Sequence, residues 1–581
     1  MNSLPFDYLL GFFGGEERRQ YEVGLINKVP VPPLDTPDGE RLGELALDCV
    51  RMKQQLDTAN ELSHLFWLPA LLQSAPHPQP LSLAGRGGLD RVLTQHTPPS
   101  PGQGEGGGGS EGSPAGGASL AARAAAWEAL VAETKARLAA NQGEIDEIAF
   151  KLYGIAGEDR AQIEASLGGG AGAATGEAAD AEDAEDEGEG EDGGEAAPAF
   201  DARTLIADLV SYAVGVALGR WDLRCASGER ERPELPDPFA ALPVYSPAML
   251  RPEDEAQARI PPRAILVDDP GHADDIDAAV RQVFAQLFGA HHEALYAEAA
   301  QALAGGPDLR PYLRNSLFEA HIGRYSKSRR KAPIYWSLST PGRRYAVWIA
   351  YHRAGPDTLY RVLRDYIGPK IQFEEARGAR LRAEGGASPT KAQRGAIEEH
   401  DKLLDELHGF RNDLERAAPL WRPERDDGVI INFAPLWRLA PWPRKWRDEC
   451  RATWERLKRG DYDWSLTAMR LWPARVVPKC RQDRSLAIAH GLDEAFWREA
   501  PGERAQPHSL RDDEVQQWVN ERESAAVRDA LFRLEATPAE VEQPKKASKA
   551  SPEAAAGKRR GRKAQADTIQ TTLDLSSEED Q

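Results

Sequence analysis

Apolar positions recur with a helical period over much of this chain. Within residues 39–73, Leu42, Leu45, Ala46, Cys49, Val50 and Met52 repeat about every 3.6 residues and predict a helix. Residues 119–141 predict another, with Ser119 as N-cap, and residues 144–153 a further one that ends at Gly154. Helices on both sides of a Pro- and Gly-rich interruption point to an antiparallel helical pair. Residues 202–219, residues 276–288 (capped by Asp274 or Asp275), 357–365 and 451–460 also carry helical patterns. Residues 370–385 and 391–418 predict a helical hairpin, with Ile397, Leu404, Leu407 and Leu414 on one stripe. Strand patterns are fewer. Residues 21–31 read as a strand closed by Pro30, Pro32 and Pro33, and residues 263–269 as a buried strand. Residues 335–351 predict a β-hairpin turning at Pro341-Gly342, with Tyr345, Val347 and Ile349 on one face and Ala346, Trp348 and Ala350 on the other. Residues 421–446, rich in Trp and Pro, read as loop or short strand. The expected class is α+β, predominantly helical with short β-hairpins.

Composition divides the chain. Its 581 residues allow about three or four domains, but two long insertions and the C-terminal tail carry the marks of disorder. The expected organisation is a first region 1–73, a low-complexity insertion 74–119, a helical pair 120–167, an acidic linker 168–199, an α+β region 200–500 and a polar tail 501–581. The abrupt start reads as the end of a larger domain. Between Glu177 and Glu195 there are eleven carboxylates and no Lys or Arg, over half of the net charge of −20. The rest of the chain is therefore closer to neutral than the total implies. Four widely spaced cysteines without a C-x-x-C argue against a disulfide framework or zinc ribbon and suit a reducing compartment. No apolar run is long enough for a bilayer, so a cytoplasmic protein without membrane contact is expected.

Residues 321–353 stand apart. They hold eight Lys or Arg and no carboxylate, interleaved with Tyr325, Tyr335, Trp336, Tyr345, Trp348 and Tyr351. Cations neutralise phosphates and aromatic faces stack on bases, so this stretch is the candidate nucleic-acid surface. Arg324, Lys327, Arg329, Arg330, Lys331, Arg343 and Arg344 are the expected phosphate contacts, and Tyr335 and Trp336 the expected stacking or wedging residues. The same pattern also fits a basic loop followed by a half-buried hairpin. A second candidate is the carboxylate group Asp268, Asp269, Asp274, Asp275 and Asp277 beside His272, which offers oxygen ligands for a divalent metal and hence a metal-dependent nuclease. It lacks a nearby Glu-x-Lys, and turn and helix-cap roles are the favoured account of such residues. No P-loop and no strand–G-x-G-x-x-G–helix unit occurs, and no Pro-Pro pair sits in an Asn-Pro-Pro-Tyr loop, so neither a catalytic residue nor a metal ligand is assigned.

Several segments resemble, in one order, the C-terminal portion of the large adenine-specific DNA methyltransferases of BREX/phage-growth-limitation defence systems, which are related to fused type II restriction–modification enzymes. They are YEVGLINKVP at 21–30, EIDEIAFKLYG at 144–154, GVALGRWD at 215–222, ILVDDPGHADDI at 265–276, RYSKSRRKAPIYW at 324–336, APLW at 434–437 and KCRQDRSLAIAHG at 479–491. The resemblance implies target recognition and contact with double-stranded DNA. It also implies a partner, an upstream methyltransferase half or other defence-system proteins. The S-adenosylmethionine site and the Asn-Pro-Pro-Tyr loop of that family have no counterpart in these residues, so the cofactor is expected in the missing half and this chain alone is not expected to be catalytic. A split or truncated gene product follows, with a metal nuclease or an inactive scaffold as the alternatives.

Overall fold

The structure, a computed structural model, describes residues 3–14, 26–73, 118–168, 201–327, 330–386, 388–499 and 504–535. The low-complexity insertion and the acidic linker lie, apart from their edges, outside the described residues, as does the tail beyond 535. The class is the expected one: long helices, a few short antiparallel strands and no long sheet among the described residues.

The first long helix, Pro37–Asp57, starts where its residues dictate. Thr36 accepts a hydrogen bond from the Gly39 amide at 3.1 Å, and Pro37 occupies the first turn, where a missing N–H costs nothing. Its partner is Leu120–Tyr153, capped by Ser119 and ended by Gly154 at φ +68°. Ion pairs Asp38–Lys151, Arg41–Glu144 (2.7 Å) and Asp48–Arg137 set the two antiparallel. The break expected near residue 142 is absent, and the partner is one helix of 34 residues. An interior glycine costs about 1 kcal/mol relative to alanine. At Gly143 that cost is offset by the packing and ion pairs on either side. The strand expected at 21–31 is not found in its described part: residues 26–31 form a turn and irregular chain running into Val31-Pro-Pro33.

From Leu209 on, the helix Ala202–Ala217 is buried on every side and lies inside the larger core, while its first turns carry Arg203 and Asp208 at the edge. Next to it stands a three-stranded antiparallel sheet in the order β1-β5-β4, with β1 at Ile265–Val267, β4 at Tyr335–Ser339 and β5 at Ala346–Ala350. Register pairs Val267 with Val347 and Leu338 with Val347, so the hairpin expected at 335–351 forms. All of β5 is buried, on both faces. Gly215 lets the buried helix approach: a Cβ there would lie 2.6 Å from the Trp221 indole nitrogen and 2.8 Å from the Tyr335 hydroxyl. A two-residue pair, β2 at Ser326–Lys327 and β3 at Arg330–Lys331, precedes β4. The helical hairpin forms as expected from Gly368–Gly385 and Lys391–Ala417, with a capping box between Thr390 and Gln393.

A second, smaller core gathers Leu420, Trp454, Leu457, Met469, Val476 and Phe496 with Val515, Val519, Ala530 and Leu534. The last four come from helices Asp512–Arg522 and Ala525–Glu535, so the polar tail expected from residue 501 begins no earlier than the end of these helices. Their few apolar residues sit at helical spacing, and low overall hydropathy hid them.

Candidate nucleic-acid interface

The basic, aromatic stretch 321–353 is largely an interior element. Trp336 is 0% and Tyr335 3% exposed, Trp336 stacking on Tyr351 (4.7 Å between ring centres) and meeting Phe433. Stacking or wedging on bases, expected of Tyr335 and Trp336, is closed to them: alternation placed both faces of this hairpin against helices. Arg324 is likewise turned inward. It binds Glu61 at 2.5 Å and Asp208, while Arg220 binds Glu61 at 2.9 Å and donates to the Tyr325 hydroxyl, which donates to Glu61 at 2.7 Å. Burial alone would raise the Glu61 carboxyl, but the two guanidinium charges and the Tyr325 hydroxyl outweigh it and hold it near 2. Asp208 goes the other way, to about 6, through burial and the neighbouring Glu61 charge, against Arg324. Burial, with Arg220 and Arg324, pushes His321 down to about 3. Its Nε2 accepts the Ile334 and Tyr335 amides, both at 3.0 Å, so a neutral His321 anchors the start of β4.

Of the remaining expected contacts, Arg344 is held by Glu406 (2.7 Å) and Glu399 (3.0 Å) of the Lys391–Ala417 helix. Lys331 is paired with Glu449. Among the described residues no carboxylate pairs with Arg343; it takes φ +53° at the hairpin tip and lies 4.9 Å from the centre of the Trp442 ring. The backbone register of β2 and β3 pairs Lys327 with Arg330 and Ser326 with Lys331, and Arg329 lies outside the described residues.

The more open cationic surface is one the residue pattern understated. Helix Arg444–Arg459 reads RKWRDECRATWERLKR, seven cations against three acids. Trp446, Cys450, Thr453, Trp454 and Leu457 repeat at helical spacing and are buried. The outward side carries Arg444, Lys445, Arg447 and Arg451. Among the described residues, no carboxylate pairs with Arg444, Lys445 or Arg451, and Arg447 meets only its neighbour Asp448. Arg451 and Arg438 each lie 5.2 Å from the centre of the Trp437 ring. Lys331 to Glu449 in the second turn and Arg343 to Trp442 just before the first tie the basic hairpins to the start of this helix. The i, i+4, i+8 spacing of Trp446, Cys450 and Trp454 was the available signal. The helix was expected only from residue 451 because Trp442-Pro443 reads as loop.

The second candidate, the Asp group, dissolves into ion pairs. Asp268 is held by Arg310 (2.7 Å) and Arg314 (2.6 Å), Asp275 by Arg310 (2.8 Å) and Asp269 by Lys370 (2.6 Å). Asp274 accepts from Tyr366 at 3.1 Å, and Asp277 pairs with Arg281 and accepts from Tyr296. Asp275 also caps the helix Ile276–Phe288, as its sequence position suggested. Protein cations already occupy the sides of these carboxylates that a metal would need, and no cluster of three or more metal-ligating residues is formed among the described residues. The sheets among the described residues are antiparallel. No helix among the described residues is long and apolar enough to cross a membrane.

No protein-family model matches this sequence, and no curated protein matches it.

Proposed function

We propose that this chain is the target-recognition, DNA-contacting part of an adenine-specific DNA methyltransferase of a phage-defence or restriction–modification system. On this reading it binds double-stranded DNA, and a separate methyltransferase half supplies the S-adenosylmethionine site. The observation that carries DNA contact is the outward face of Arg444–Arg459, with Arg444, Lys445, Arg447 and Arg451 unopposed by long-range carboxylates among the described residues and flanked by Arg343 and the β2–β3 hairpin. Such a face attracts phosphates through released counterions, while its buried tryptophans keep the cations in register. Methyl transfer itself is assigned to no residue of this chain; the family reading rests on the ordered segments from residue 21 to residue 491.

The test is fluorescence anisotropy of a labelled duplex against the full chain across a salt series. Binding is expected to weaken steeply with salt. Arg444→Ala, Lys445→Ala, Arg447→Ala and Arg451→Ala combined should flatten the log–log salt slope by about 3.6, at roughly 0.9 per lost phosphate contact. An unchanged slope with a folded variant removes this face from the proposal. Methylation of adenine only on adding a methyltransferase half supports the split enzyme; methylation unaffected by this chain counts against it.

A further inference from the structure

Residues 233–250 hold Pro233, Pro236, Pro238, Pro243 and Pro247 and no Lys, Arg or His. Proline fixes φ and removes the amide donor, and residues 233–248 form neither helix nor strand. The run is nevertheless held in place as a strap. The Pro236 carbonyl accepts from Gln54 Nε2 at 3.2 Å, the Pro243 carbonyl from His64 Nδ1 at 3.1 Å, and Ala248 donates to the Phe66 carbonyl at 3.2 Å. Asp237 builds a turn: its carboxylate accepts the Phe239 amide at 2.8 Å and its carbonyl the Ala240 amide at 3.0 Å. Backbone carbonyls of the strap are thus bound to the chain beneath, while its large apolar side chains stand in solvent. Phe239 is 91% exposed, Val244 84%, Leu242 64% and Tyr245 55%. The first two are the most exposed large apolar side chains among the described residues. Apolar residues scattered singly over a surface are ordinary, but a group of them on one short, fixed segment marks a contact surface.

We propose that this strap is the surface on which the methyltransferase half docks, a reading that rests on the function proposed above. Phe239 is the anchor, entering an apolar pocket of that half, and Leu242, Val244 and Tyr245 close around it. The charge of the strap chooses among occupants. A run without a cation offers nothing to phosphates, so neither nucleic acid nor an anionic membrane suits it. Glu234 and Asp237 flank the Phe239 turn, and a second copy of this chain would bring the same two carboxylates to one contact, with no cation of the strap to offset them. A protein groove with a cationic rim matches both the apolar centre and the acidic edge. The prolines and the bonds to Gln54 and His64 fix the backbone before contact, so little freedom is lost on docking. An aromatic side chain presented on a fixed turn is the kind of residue that carries most of the energy of an interface.

Sedimentation velocity of the full chain mixed with the methyltransferase half tests this, run beside the anisotropy titration on DNA. The wild-type chain should form a complex with that half. Phe239→Ser combined with Val244→Ser should weaken the complex by about tenfold or more and leave DNA affinity and the thermal midpoint at wild-type values. Both side chains stand in solvent, so neither change opens a cavity. Phe532→Ser, at an exposed phenylalanine outside the strap, should leave the complex intact. Glu234→Lys should weaken it and lessen its loss with salt. Equal binding of wild type and the double variant overturns the docking surface, as does failure of the half to bind a chain that still binds DNA. A wild-type chain that dimerises alone, and that the double variant makes monomeric, overturns it too. Absence of salt-dependent DNA binding with the complex retained would remove the DNA-contacting reading and leave the strap as the docking surface.

Discussion

Two segments of this chain, 321–353 and 444–459, have similar compositions, rich in Arg and Lys with aromatics between, and the fold uses them in opposite ways. The first alternates its aromatics along a hairpin, so both faces carry bulk and both are covered; Arg324 and Arg344 are drawn to Glu61, Asp208, Glu399 and Glu406. The second spaces its aromatics at helical period, so one face is buried and the other is left to Arg444, Lys445, Arg447 and Arg451. Charge and aromatic content do not separate an interior element from a binding surface. Period does, because a helix with one apolar stripe has a solvent side, and a short strand between two layers has none.

The largest expected effect tests the interior half of this contrast. Trp336→Ala should cost about 3–5 kcal/mol of stability by opening a cavity beside Tyr351 and Phe433, seen as a lower midpoint in denaturant. A variant of normal stability with weakened DNA binding would break the comparison, since it would put Trp336 at the surface. The combined alanine variant of the 444–451 face should do the reverse, reducing affinity while each change moves stability by no more than about 0.5 kcal/mol. Gly215→Ala comes next, at about 1–3 kcal/mol, because the added methyl meets Trp221 and Tyr335 and the helix must move off the sheet; thermal melts would read it.

Smaller still is a pH effect at Asp208. Its folded pKa, about 6, lies above the ordinary carboxylate value of 3.8, so the folded state holds the proton more tightly. Its contribution is therefore full below pH 3.8 and lost as pH rises to 6, the opposite sign to Glu61, whose contribution is full above 4.5 and lost as pH falls towards 2. Asp208→Asn should remove the first trend, on the order of 1 kcal/mol because the Asp208 side chain is 32% exposed, in melts taken between pH 4 and 6. If wild type and variant ran parallel there, the buried network around Arg324 would be wrongly described. Least of all, Arg344→Ala should cost about 0.2–1 kcal/mol, since its side chain is 34% exposed.

Much of the fold was readable residue by residue. Ser119, Thr390 and Asp275 announce helix starts with their own side chains, and Gly154 announces an end. Pro341-Gly342 marks the hairpin turn, and the Leu407 and Leu414 stripe marks the buried side of the second helical arm. Each is a local signal. The misreadings share a different cause. Gly143 carries the local propensity to break a helix, but ion pairs more than ninety residues away hold it straight. Residues 512–535 lack the hydropathy of a domain, but Val515, Val519, Ala530 and Leu534 complete a core built by residues 420–496.

The candidate surface shows the same division. From sequence alone follow the helical class, the caps and turns, the excess of cations in 321–353 and 444–459, and the absence of a P-loop or an Asn-Pro-Pro-Tyr loop. Which cations remain free was decided only in three dimensions. Glu61 reaches Arg324 across 263 residues, and Glu449 reaches Lys331 across 118. A charge is visible in the sequence wherever it stands, but the counter-charge that silences it is brought by packing of distant helices, which no local pattern encodes.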